Sequence, residues 1–147
     1  MKVKSSNLIS ILLIALMLGS TISYTFLQVI FPSKRITLPK ENIINYKLGV
    51  EVEDYAIRLG KTIVTLNYTY NCSLVEDCSE VLNFLENYAK SYKDQIILEK
   101  ILSNSFYLKI RSYYGEKRIT IPSKEKTLDA LCDLMFKPPI ECATREI

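Results

Sequence analysis

The sequence predicts an α/β protein in two parts: an N-terminal transmembrane helix, then a small three-layer α/β/α domain with a mixed sheet. Three observations carry that expectation. No charged residue occurs in the 29 positions between Lys4 and Lys34, and about 20 apolar residues suffice to cross a hydrocarbon layer ~30 Å thick. Apolar residues then recur at helical spacing from Val81 to Tyr92, between two breaker-free runs rich in Ile, Val, Leu and Thr, the pattern of a parallel βαβ crossover. Finally Phe106, Leu108 and Ile110 alternate with Tyr107, Lys109 and Arg111, the period of two of a strand with one face covered.

The apolar segment 8–31 follows a short basic stretch, Met1 to Lys4. A cleaved signal peptide is the rival reading, because Leu8 to Leu18 has the length of an h-region and Gly19, Ser20 and Ser23 are small enough for cleavage. The apolar run nevertheless continues through Tyr24, Phe26, Leu27, Val29, Ile30 and Phe31, longer than the roughly 7 to 15 residues of an h-region. Residues 1–31 are therefore expected to be retained as a single-pass anchor in the cell membrane, touching lipid through residues 8–31. Lys2 and Lys4 precede the span and Lys34, Arg35 and Lys40 follow it, so charge does not set its orientation. Residues 32–40, with Pro32 and Pro39 and no apolar period, read as a linker, and residues 41–147 as the soluble domain.

Within that domain Val52, Tyr55, Ala56 and Leu59 share a helical face, and Gly60 follows where a left-handed cap ends a helix. Thr62 to Tyr70 has no breaker and reads as a buried central strand running into Cys72. Val81, Leu82, Leu85, Tyr88, Ala89 and Tyr92 form the stripe of the longest helix, and Ile96 to Leu98 a short strand after it. The alternation from Phe106 breaks at Gly115 and resumes at Ile119 and Ile121, a hairpin. Ser123 can cap a last helix whose Leu128, Leu131, Cys132 and Met135 share one face and which Pro138-Pro139 cannot continue.

Composition excludes several function classes. The net charge of +3 is spread along the chain without a basic block, so no nucleic-acid partner is expected. The four glycines are too scattered for a phosphate-binding loop, so neither nucleotide nor other cofactor is expected. The chain has no histidine, which removes the usual base of Ser and Cys hydrolases and the commonest metal ligand. Nucleophilic chemistry would have to start from a thiolate activated without imidazolium.

A central strand ending at a cysteine, a long helix, a second parallel strand, a β-hairpin and a closing helix resembles the layout of the thioredoxin fold, over roughly residues 41–135. The stretch from Lys61-Thr62 through Asn71-Cys72, Cys78 to Glu86, and Tyr92-Lys93-Asp94 is similar to the strand, active turn and first helix of membrane-tethered thioredoxin-like proteins. The resemblance implies a redox pair in which Cys72 attacks a protein disulfide and Cys78 resolves the mixed disulfide, with a protein thiol or disulfide as partner. The chain departs from that family in three places. Its motif is CxxxxxC, Val75 standing where the second cysteine of CxxC would fall. Ser103-Asn104-Ser105 occupies the place of the family's cis-proline, and Tyr68-Thr69-Tyr70-Asn71 replaces its tryptophan-bearing approach.

Read from the residues alone, Cys72 between a strand and a helix gains from the helix dipole, whereas Glu76, Asp77 and Glu80 in the same turn oppose a thiolate. A structural bridge to Cys78 is the alternative. Cys132, beside Leu131 and Met135, and Cys142, beyond the turn at Lys137 to Ile140, read as a structural disulfide contributing roughly 2 to 3 kcal/mol. Four cysteines allow three pairings, and a four-thiolate zinc site remains open although spacings of five and nine lack CxxC hooks; no metal is expected. The even cysteine count places the domain on the oxidising, extracytoplasmic side, hyperthermophile intracellular proteins being the exception. The triplets Asn67-Tyr68-Thr69 and Asn71-Cys72-Ser73 match a glycosylation pattern that also arises by chance. Two functions stay open: thiol–disulfide exchange through Cys72 and Cys78, or a non-catalytic, disulfide-stabilised thioredoxin-fold module of the cell envelope that binds or assembles.

Overall fold

The computed structural model describes residues 10–19, 36–74 and 76–143, and the chain divides into two compact units, Met1–Arg35 and Ile36–Ile147. In the first unit residues 10–19 form an exposed helix, α1. This corrects the expected transmembrane helix: no helix among the described residues is long and apolar enough to cross a membrane. The remainder of segment 8–31 lies outside the described residues.

The second unit is a small α/β domain. Its elements run β1 (Ile43–Ile44), α2 (Val50–Arg58), β2 (Thr62–Tyr68), a 3-10 turn (Cys72–Leu74), α3 (Glu76–Ser91), β3 (Ile96–Leu102), β4 (Tyr107–Ser112), β5 (Gly115–Ile119), α4 (Lys124–Leu134) and α5 (Ile140–Ala143). They form one five-stranded sheet of order β1-β3-β2-β4-β5. β1, β3 and β2 are mutually parallel, while β4 is antiparallel to β2 and β5 to β4. β2 and β3 pair along their full length, from Thr62 opposite Ile96 to Tyr68 opposite Leu102.

Even-numbered side chains of the central strands, Val64, Leu66, Ile96, Leu98, Leu108 and Ile110, make one core with Val81, Leu85 and Ala89 of α3 and Ala130, Leu131 and Leu134 of α4. Phe84, Tyr88 and Tyr92 extend it along α3, each ring centroid 4.9 Å from the next. On the opposite face Ile63 and Ile97 meet Ala56 of α2, with Ile44 and Leu48. Burial on both faces is why β2 reads as a run without breakers or charge rather than as an alternating strand.

Differences from the sequence reading have local causes. α2 turns inward Glu53 and Ala56 rather than Tyr55 and Leu59, both exposed, because Arg111 on β4 bonds the Glu53 carboxylate. β3 does not stop at Leu98. Glu99 continues it inside the fold and Lys100 pairs with Glu86 at 2.7 Å. α4 buries Thr127, Ala130, Leu131 and Leu134, leaving Leu128 and Cys132 half-buried, since the small Thr127 and Ala130 allow close approach to the core. The strand expected to run to Tyr70 ends at Tyr68, and Ile121 lies beyond β5, exposed. The expected caps are present. Gly60 is left-handed at φ +81°, with Lys61 N donating to Ala56 O at 3.0 Å, and the Ser123 hydroxyl accepts from Lys126 N at 3.4 Å.

Candidate functional site

The four cysteines form two separate bridges. Cys72–Cys78 ties the 3-10 turn to the first turn of α3, with Cα atoms 5.1 Å apart, and Cys132–Cys142 ties α4 to α5 at 5.6 Å. No cysteine is free. The first bridge closes because the chain bends: Cys72 N donates to Thr69 O at 3.0 Å and Leu74 N to Asn71 O at 2.9 Å, turning the backbone once before α3 begins. Cys72 is 3% exposed and Cys78 2%. Tyr70 and Leu74 instead stand out into solvent, so the turn presents an aromatic and an aliphatic side chain, not sulfur.

Thiol–disulfide exchange requires an incoming thiolate to reach one sulfur in line with the bond. Burial of both residues works against that, and Asp77 and Glu80, exposed on the same helix end, repel an anionic nucleophile. At the place where the family carries its proline, the Ser103 hydroxyl bonds within its own loop, donating to Ser105 O at 2.7 Å. Cys132 and Cys142 are both half-buried, so the bridge expected to be purely structural is the more accessible one. Among the described residues no three of His, Cys, Asp and Glu gather to hold a metal ion.

Comparison with protein-family models and with curated proteins finds no match to the chain.

A second polar constellation lies on the α2 face of the sheet, at the carboxyl ends of β2 and β3. The registers place Glu99, Thr65 and Lys109 in one row and Ile101, Asn67 and Tyr107 in the next. α2 has nine residues and covers the row of Ile97, Ile63 and Arg111, leaving Thr65, Lys109, Ile101, Asn67 and Tyr107 of these two rows to line a cavity of about 220 Å3 with Glu53 and Lys47 at its sides. Glu99 is fully buried. Its carboxylate accepts from Leu48 N at 2.9 Å and from the Thr65 hydroxyl at 2.7 Å. Glu53 is paired with Arg111, which also reaches Asp54 at 3.1 Å. Lys109 pairs with Glu116 at 3.1 Å, and Arg118 lies over the Tyr107 ring, 4.3 Å from its centroid. The sequence reading gave none of these residues a place in a site. The available signal was Asn67 and Glu99 standing within two strands otherwise rich in Ile, Val, Leu and Thr. Asn67 is itself buried, so its glycosylation triplet is closed to modification in the folded state.

Burial pushes the Glu99 carboxyl above the usual carboxylate range, and the nearby Glu53 adds to this. The hydrogen bonds from Leu48 and Thr65 and the charge of Lys47 pull the other way. A folded-state value above the unfolded ~4.3 means that the folded protein holds this proton more tightly than the unfolded chain. The contribution of Glu99 to stability is thus complete below about pH 4.3 and is lost as pH rises through the folded value. Glu99→Gln keeps the shape, and its amide can donate to the Thr65 hydroxyl. In urea denaturation from pH 4 to 8 the variant is expected to gain on the wild type as pH rises. A difference between the two that stays constant over that range would contradict this placement of Glu99.

Proposed function

We propose that the chain is a non-catalytic, disulfide-stapled thioredoxin-like module that acts by binding or assembly on the oxidising, extracytoplasmic side of the cell envelope. The observation that carries this reading is the burial of both members of the Cys72–Cys78 bridge, 3% and 2% exposed. Support for the thioredoxin-like part comes from the sheet order β1-β3-β2-β4-β5 with its antiparallel β4 and β5, and from a bridged cysteine pair between β2 and α3. Two bridges with no free thiol suit an oxidising compartment. Thiol–disulfide exchange with a protein partner is the second reading. It is favoured by the position of Cys72–Cys78 at the N-terminal turn of α3, where the helix dipole stabilises a thiolate.

A redox titration of the full chain in glutathione buffers, with alkylation and peptide mass mapping, separates the two. Both bridges are expected to stay oxidised down to about −300 mV, and in a brief pulse of reductant Cys132–Cys142 is expected to open before Cys72–Cys78. Titration of Cys72 and Cys78 alone at a potential near that of known exchange proteins, about −270 to −120 mV, would overturn the binding-module reading in favour of exchange.

A further inference from the structure

We infer that the cavity at the carboxyl ends of β2 and β3 is a binding site for a small organic carboxylate. The inference goes beyond the reading of the cysteines and does not depend on it. Its starting point is an expense in the fold: Glu53, Thr65, Asn67 and Glu99 are all buried on one face of the sheet, where the neighbouring row is filled by Ile63 and Ile97. Well-packed apolar side chains in such places are commonly as stable or more so, and departures from the apolar rule concentrate at functional sites. The location also fits. In open α/β sheets ligands bind beyond the carboxyl ends of parallel strands.

Asn67 offers a ligand a polar partner. It is 6% exposed, lines the cavity, and its carboxamide makes no hydrogen bond among the described residues. The fully buried side-chain atoms without a partner are Tyr88 Oη and Thr127 Oγ1 among the described residues, so the Asn67 amide opens onto the cavity, where a bound oxygen or nitrogen would take the place of water.

The donors and acceptors around the cavity set the sign of the ligand. Both Glu99 oxygens are committed to protein donors, Leu48 N and the Thr65 hydroxyl, and Glu53 is bonded through Oε2 to Arg111. Most of the uncommitted capacity lies with donors: the Asn67 amide, the Tyr107 hydroxyl, Lys47, which makes no salt bridge among the described residues, and the hydrogens of Lys109 not given to Glu116, against the single oxygen Glu53 Oε1. Spare donors with two ammonium groups select an anion. The Ile101 side chain among the lining residues gives part of the wall to carbon, which favours an organic acid over phosphate or sulfate. At ~30 Å3 per water the volume is that of about seven waters, room for an acid of a few carbons.

The test is a titration of the 15N-labelled full chain, bridges oxidised, with sodium propionate, followed at the Asn67 carboxamide. Saturable shifts with a Kd of about 1 to 10 mM are expected, absent with propionamide and with equal sodium chloride. Lys47→Ala, at an exposed position, is expected to keep the spectrum and raise Kd at least about threefold. Asn67→Ser is expected to weaken binding as well. Shifts that are linear in concentration, or reproduced by chloride or propionamide, overturn the inference. So does binding of an acetylated tripeptide through its terminal carboxylate when propionate does not bind, because the source would then be a polypeptide terminus and not a free acid.

Discussion

Arg111→Ala is expected to destabilise the domain by about 3 kcal/mol, one of the two largest effects of a designed change in this chain. Arg111 sits on β4 opposite Ile63, its guanidinium bonded to Glu53 and reaching Asp54 at 3.1 Å and Glu116 at 3.4 Å. Asp54 and Glu116 are exposed enough for water to replace the arginine. Glu53 is only 4% exposed, so losing its partner leaves a carboxylate desolvated and uncompensated, the costly half of a broken buried pair. The mechanism makes a second demand. Adding Glu53→Gln to Arg111→Ala should restore most of the loss, a coupling of about 1 to 3 kcal/mol in the double-mutant cycle. Urea denaturation of both single variants and the double at pH 7 measures it. If the double is no better than Arg111→Ala alone, Arg111 matters for packing its aliphatic stem and not for neutralising Glu53.

That pair also marks where the sequence stops being readable. The existence of α2, β2, α3, the hairpin and α4 follows from local periodicity, which sees the spacing of apolar residues along one element. Which side of α2 faces inward is decided by Arg111, 58 positions beyond Glu53, and no local period contains that. Glu99 poses the same problem. A charged residue after Ile96 to Leu98 looks like the end of a strand, yet Leu48 N and the Thr65 hydroxyl, 51 and 34 positions earlier, supply the bonds that let β3 continue through it. β1 has two residues and α5 four, too short for any period. The cysteine positions fell at the ends of legible elements, but their accessibility is a tertiary property. Cys132 shares a helical stripe with Leu131 and Met135 in the sequence, whereas in the fold it is half-buried and bridged to Cys142 of α5. The cavity was illegible for a related reason: most of its lining comes from three strands whose registers exist only in the folded sheet, and the rest from Lys47 and from Glu53 of α2.

Removing the bridge at the head of α3 is the second large effect. Cys72→Ala with Cys78→Ala is expected to lower stability by about 3 kcal/mol. Closing a loop of six residues' separation gives roughly 2.4 kcal/mol in the chain-entropy model, and two buried sulfurs lost from close packing add some tenths more. Cys132→Ala with Cys142→Ala closes a longer loop, separation 10, worth about 2.8 kcal/mol by the same model, but its half-buried sulfurs add little packing. The comparison bears on function because stability and redox poise are linked. A bridge that stabilises the folded state by about 3 kcal/mol is harder to reduce there than in the unfolded chain by about 65 mV, since 30 mV corresponds to 1.4 kcal/mol. A pair that turns over is expected to have oxidised and reduced folded forms closer in stability than this. Thermal denaturation of the oxidised wild type and both double variants decides the matter. A loss near 3 kcal/mol at Cys72–Cys78 fits a staple. A loss below about 1 kcal/mol would mean that the folded domain tolerates the reduced pair almost as well as the bridge, the energetic condition for exchange.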